Sequence, residues 1–267
     1  MSITIVSNVS DLFSSAADDG LLSEESQSAI EFADIGEEIN AALGINADDF
    51  GSSEVVLVTM LIDDSGSIQS AGNVAVVIGG HNMVIDALRS TEQAKRDAIL
   101  AHTKYLNGTV LFPYQSINQA EKMDNNNYKN FGGTPLYDQM AVVLATVIAK
   151  CQEFSDNGVA CRSVTLIVTD GADVHSSKFR TAKSVSPLVK DLLRQENHIV
   201  AAMGIDDGYT DFRSIFTEMG IIDNWILTPA NTDSEIRAAF NMFSQSATQA
   251  SQNAVAFSQA AMGGFGN

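Results

Sequence analysis

The hydrophobic pattern alternates between two kinds of segment. Val55 to Ile62 reads VVLVTMLI, an apolar run rich in β-branched residues, as expected of a strand buried on both faces. Ala71 to Leu88 has helical spacing despite Gly79 and Gly80. Each glycine costs about 1 kcal/mol against alanine in a helix, so they predict close packing on a sheet. Ala98 to Leu106 and Thr109 to Pro113 flank Asn107-Gly108, a strong hairpin signal. The polar loop Asp124 to Gly133 leads into a helix from Pro135 to about Phe154, with Thr134 as its expected N-cap. A strand follows at Val164 to Thr169, a helix at Val185 to Gln195 and a strand at His198 to Ile205. Asp211 to Met219 predicts a short helix, Asn224 to Thr228 a final strand, and Asp233 the capped start of the last helix. Strands alternating with helices, plus one hairpin, imply a mostly parallel sheet with one antiparallel edge strand and helices on both faces.

Both ends depart from this alternation. Between Ser23 and Leu43, Ile30, Phe32, Ala33, Ile35, Ile39 and Leu43 recur mainly at threes and fours among acidic residues, predicting one acidic amphipathic helix. From Phe240 onward the chain is rich in Ala, Gln and Ser, with Phe240, Phe243, Ala247, Ala250, Ala254, Phe257 and Ala261 forming an apolar stripe. The expected organisation is an acidic extension over 1–50, an α/β domain over 51–246 and an uncharged helix and tail over 247–267. The first part of that tail helix should pack on the domain. The rest meets either the acidic extension or a partner.

Composition narrows the class. Of 267 residues, 45% are apolar and 18% charged, which suits a globular domain with a sizeable core. No run approaches the roughly 20 apolar residues that cross a bilayer, and MSITIVSNVS lacks a basic start or a long apolar stretch. With Cys151 placed on a helix and Cys161 just before a strand, nothing suggests a disulfide framework, though a local bridge between them remains an alternative. A cytoplasmic location is the expectation. The net charge of −18 is uneven: 15 of the 33 acidic residues precede Arg89, the first basic one, and nothing after Arg237 is charged. Such a chain repels nucleic acid and anionic membrane surfaces.

Three polar clusters fall where strands end, the places at which open α/β sheets bind ligands. They are Asp63-Asp64-Ser65-Gly66-Ser67, Gly132-Gly133-Thr134-Pro135 and Thr169-Asp170-Gly171. Carboxylates and hydroxyls without His or Cys make a hard oxygen site, suited to Mg²⁺, Mn²⁺ or Ca²⁺. Asp63-x-Ser65-x-Ser67, then Thr134, then Asp170 in a TDG turn resembles the metal-ion-dependent adhesion site of von Willebrand factor A (vWA) domains, and the resemblance covers residues 54 to 245. It implies a Rossmann-like α/β fold of the intracellular bacterial type. Ser65 and Ser67 would bind a Mg²⁺ through their hydroxyls, Asp63 and Asp170 would act mainly through water, and Thr134 would join or leave the shell. A protein partner would supply an Asp or Glu. Intracellular relatives suggest an adaptor for an AAA+ ATPase or a stress-response complex, and a switch in which Thr134 and the helices behind it shift. Asp64 reads as a residue facing solvent or behind the ligands.

Other chemistries find no support. The chain has no GxSxG elbow, no DxDx[TV] segment after the first strand, and neither GxxxxGK[ST] nor GxGxxG. Of the four histidines only His175 lies close enough to reach the metal loops. The expectation is a non-enzyme, a metal-dependent protein-interaction module. The alternative is a structural subunit that self-assembles, with metal only stabilising the fold.

Overall fold

A computed structural model describes residues 8–96 and 98–265. The first seven residues, including the start read above for a leader, and the last two of the tail lie outside the described residues. Six strands, β1 (Glu54–Ile62), β2 (Ile99–Tyr105), β3 (Val110–Ser116), β4 (Ala160–Thr169), β5 (His198–Gly204) and β6 (Ile226–Leu227), form one sheet in the order β3-β2-β1-β4-β5-β6. All neighbours pair in parallel except β2 with β3, which run antiparallel through the Asn107-Gly108 turn, where Gly108 takes φ 92°. From Val55 to Ile62 every residue of β1 is buried, as its apolar run requires of a strand covered on both sides.

The helices are α1 (Val9–Asp18), α2 (Glu24–Ala33), α3 (Gly36–Leu43), α4 (Gly66–Ser70), α5 (Val74–Arg89), α6 (Glu92–Lys95), α7 (Leu136–Asp156), α8 (Ala182–Arg194), α9 (Phe212–Glu218), α10 (Asp233–Gln252) and α11 (Ala254–Gly263). They fall into two layers. In one, α7 packs against β1, β4, α1, α3 and α8; in the other, α10 packs against β4, α5, α6 and α11.

The expected single acidic helix over 23–43 is two helices. Asp34 turns into the left-handed region at φ 48°, a conformation Asp adopts more readily than most residues, and Phe32 points out at 88% exposure. The extension nevertheless closes against the sheet. Ile45 N–H bonds the Tyr114 carbonyl of β3 at 2.9 Å. Gly44, at φ 64°, lies so close to the Tyr114 backbone that a Cβ would overlap it. Buried Lys104 of β2 meets Glu38 at 2.9 Å, and Glu153 of α7 accepts the Ala47 N–H at 2.8 Å.

Two further expectations are corrected, and the alternative left open for the two cysteines is the one found. Gly80 of α5 packs against the C-terminal layer, because the Phe240 ring of α10 occupies the place of its missing Cβ. The last helix is capped by Thr232, whose side chain accepts from Glu235 N–H, with Asp233 as its first residue. Cys151 and Cys161 are joined as a disulfide, Cα to Cα 5.4 Å, since β4 begins at Ala160 beside the end of α7. The tail folds back: Asn253 breaks the helix and caps α11, Phe257 is buried, and Trp225 packs edge-on to Phe265 at 4.8 Å. Among the described residues no helix is long and apolar enough to cross a membrane.

Candidate metal centre

The strand order reverses between β1 and β4, because the chain leaves β1 for β2 on one side and reaches β4 on the other. Ligand sites in open α/β sheets lie outside the carboxyl ends of strands at such a point. In register, Ile62 of β1 stands beside Val168 of β4, and Asp63 N–H bonds the Val168 carbonyl at 2.9 Å. Asp63 and Asp170 are thereby neighbours although 107 residues separate them.

A continuous chain of short bonds joins the first and third clusters. Ser65 Oγ lies 2.7 Å from Ser67 Oγ, and the Ser67 hydroxyl donates to Asp170 Oδ1 at 2.5 Å. Asp63 is held at both oxygens. Its Oδ1 accepts the Ser65 N–H at 2.8 Å; its Oδ2 accepts the Thr169 hydroxyl at 2.6 Å and the Asp170 N–H at 3.4 Å. The second cluster is brought alongside by its backbone: Gly132 N–H bonds the Asp64 carbonyl at 3.3 Å, and Ser65 and Gly132 form a parallel bridge. Thr134, only 6% exposed, follows two residues later. Four of the five residues read from the sequence thus meet at one edge in direct hydrogen-bonded sequence, and the bridge at Gly132 brings the segment carrying Thr134 to that edge.

The electrostatics suit a cation. Burial first, then the neighbouring Asp63 and Asp207 charges, pushes Asp170 up to about 6, against the pull of the Ser67 hydrogen bond. Asp64 is also pushed up to about 6, by burial and then by Asp63. Among the described residues no Lys or Arg pairs with Asp63, Asp64 or Asp170. Nor do three His, Cys, Asp or Glu side chains cluster there as metal ligands; the candidate donors are two carboxylates and three hydroxyls, a hard set whose chemistry fits Mg²⁺, Mn²⁺ or Ca²⁺.

Asp64 does not face solvent. It is fully buried, its Oδ1 accepts the Asn107 N–H of the hairpin turn at 3.0 Å, and its Oδ2 has no hydrogen-bond partner among the described residues. Thr134 does not cap α7 either: Pro135 takes the cap position without a side-chain bond. The first amides of α7 are met by the loop after Asp170, Tyr137 N–H by Asp173 Oδ1 at 3.2 Å and Asp138 N–H by Ser176 Oγ at 2.9 Å. In return the Asp138 carboxylate accepts from Ser177, Lys178 and Phe179 N–H at 2.8, 3.1 and 2.6 Å.

Tyr128 escaped the sequence reading, and His175, the one histidine it placed within reach of these loops, has a specific partner here. Tyr128, buried in the polar loop, donates its hydroxyl to the Asp63 carbonyl and packs 5.4 Å from Tyr105. A lone tyrosine in an asparagine-rich loop was its only signal. His175 Nδ1 accepts the Thr134 N–H at 2.9 Å. The other three histidines are core groups: burial pushes His81, His102 and His198 down to about 4.

The sheet order with one antiparallel edge and two helical layers is the Rossmann-like fold of vWA domains, and solved structures share it. The pilus adhesin SpaC of Lactobacillus rhamnosus GG in its open conformation matches at TM-score 0.53 and 13% identity, over 74% of this chain and 30% of that one. Proximal thread matrix protein 1 from the mussel byssus, with a zinc-occupied MIDAS motif, matches at 0.51 and 16%, over 73% and 46%. The human COPII-coat protein Sec24c matches at 0.51 and 12%, over 78% and 34%. This chain therefore spans less than half the length of each of these three, and at such identities the likeness shows the fold. No protein-family profile and no curated protein sequence matches the chain.

Proposed function

We propose that this chain is a metal-dependent protein-interaction module and carries out no catalysis. The observation that carries the reading is the bonded series Ser65 Oγ, Ser67 Oγ and Asp170 Oδ1, at 2.7 and 2.5 Å, over a switch point where, among the described residues, no Lys or Arg pairs with the carboxylates. Ser65, Ser67 and Thr134 would hold a Mg²⁺, or Mn²⁺ or Ca²⁺ in its place, with Asp63 and Asp170 orienting the hydroxyls and bound water. Three neutral hydroxyls leave such an ion with residual positive charge, and a partner's Asp or Glu would neutralise it. The MIDAS motif named in the byssus protein supports this reading.

The partner class drawn from intracellular relatives, an AAA+ ATPase or a stress-response complex, belongs to the same proposal, as does the exclusion of nucleic acid and membrane by a net charge of −18. The Cys151–Cys161 bond weighs against the cytoplasmic location expected from the sequence, because such bonds persist mainly in oxidising compartments. The test is affinity capture from the native extract in Mg²⁺, in chelator, and with Asp63→Ala. A partner lost under both perturbations supports the module; partners unchanged in all three refute it. A ligand-independent, concentration-dependent oligomer in solution would favour the self-assembling subunit.

A further inference from the structure

We propose that His175 is the positioning residue that sets Thr134 in place for the metal, a role that rests on the metal-dependent reading above. Both backbone polar groups of Thr134 are committed to the segment carrying His175. Its N–H donates to His175 Nδ1 at 2.9 Å, and its carbonyl accepts the Val174 N–H at 3.2 Å. An amide nitrogen only donates, so Nδ1 accepts and the ring proton sits on Nε2.

The sequence is built around this contact. At Gly133 a side chain would overlap the imidazole, with an added Cβ 2.7 Å from His175 Cγ. The ring therefore occupies the space that the glycine before Thr134 leaves open. His175 is itself held by its neighbours. Two residues before it Asp173 bonds Tyr137 N–H, the following Ser176 bonds Asp138 N–H, and the Asp138 carboxylate gathers the next three amides. The start of α7 and the loop after Asp170 thus form one clasp. Thr134 is seated in it, and through it the Thr134 backbone is fixed relative to Asp170. Ser65 and Ser67 approach from β1 and α4 and take no part in the clasp.

Three variants separate this role from simple folding. His175→Ala removes the acceptor. His175→Asn restores one, because Asn Oδ1 stands where Nδ1 stands. Gly133→Ala keeps the histidine and displaces it. Hydrogen exchange of the Thr134 amide in metal-free protein and Mg²⁺ affinity by titration calorimetry are the readouts. His175→Ala and Gly133→Ala should each speed exchange at Thr134 and weaken Mg²⁺ by about tenfold, the usual effect of losing a group that orients a metal ligand. His175→Asn should return both toward wild type. Wild-type affinity in His175→Ala, or no recovery in His175→Asn, overturns the inference while leaving the metal site standing. Failure of the wild-type protein to bind Mg²⁺ or Mn²⁺ overturns the metal reading itself, and the role of His175 with it.

Discussion

Replacing Asp138 with alanine removes the acceptor for three consecutive backbone amides, those of Ser177, Lys178 and Phe179. Hydrogen bonds to a charged group contribute about 1.5–3 kcal/mol each, and a buried donor left without a partner costs about 1–3 kcal/mol. Only the Phe179 bond is fully buried; the other two amides can turn to water. The loss for Asp138→Ala should therefore be about 3 kcal/mol rather than the full sum. Asp138→Asn keeps one carbonyl oxygen and turns an N–H₂ toward the remaining amides, so it should lose roughly half as much. Urea unfolding followed by circular dichroism measures both, and amide exchange at Phe179 locates the damage. The same clasp carries His175, so Mg²⁺ affinity should fall in parallel with stability along the two variants. Asp138→Ala within about 0.5 kcal/mol of wild type, the range of an ordinary surface change, would refute the reasoning.

Other predictions follow from the same contacts. Because the raised Asp170 carboxyl titrates near 6, Mg²⁺ affinity should fall as pH is lowered through about 6, which calorimetry at pH 7.5, 6 and 5 checks. The sign for folding is opposite: in metal-free protein the folded state holds this proton more tightly than the unfolded chain does. Asp170 ionisation therefore costs stability as pH rises from about 4 to 6, and Asp170→Asn should flatten that slope in thermal melts. Gly80→Ala should destabilise, although helix propensity alone predicts a gain of about 1 kcal/mol, because the new methyl meets the Phe240 ring; urea unfolding of the single and of Gly80→Ala/Phe240→Ala settles the sign. Cys151→Ser/Cys161→Ser should lower stability by about 2–3 kcal/mol in non-reducing urea titrations, as expected for a bridge closing a loop of ten residues' separation.

The parts of the molecule legible in the sequence are those set by local composition. The β-branched run of β1 could only be a covered strand, Asn107-Gly108 could only turn a hairpin, and Asp63, Ser65, Ser67 and Asp170 sit directly at strand ends, where alternation alone places them. What stayed hidden depends on residues distant in the chain meeting in space. His175 reaches Thr134 across 41 positions, and the amides of α7 are satisfied by Asp173 and Ser176 rather than by the adjacent Thr134. For Asp64 the sequence left two places open, facing solvent or behind the candidate ligands, and only the hairpin folding over it decides for the second. The break at Asp34 turns on one residue's backbone conformation, which an unbroken apolar spacing masks. The disulfide required knowing that β4 begins several residues before its apolar run.

The notch at Gly80 has a mechanical consequence for any switch that would move the helices. One helical turn is about 5.4 Å, so a slide of α10 by that step along α5 would carry Phe240 off the glycine and onto Val76 or Val77 in one direction and Met83 or Val84 in the other. The three valines are branched and buried, Met83 carries a long side chain, and none has the missing Cβ that seats the ring at Gly80. Phe240 therefore acts as a pawl in a single tooth. A one-turn slide would have to lift the ring over those side chains, so the glycine notch favours the present seat of the C-terminal helix along its neighbour.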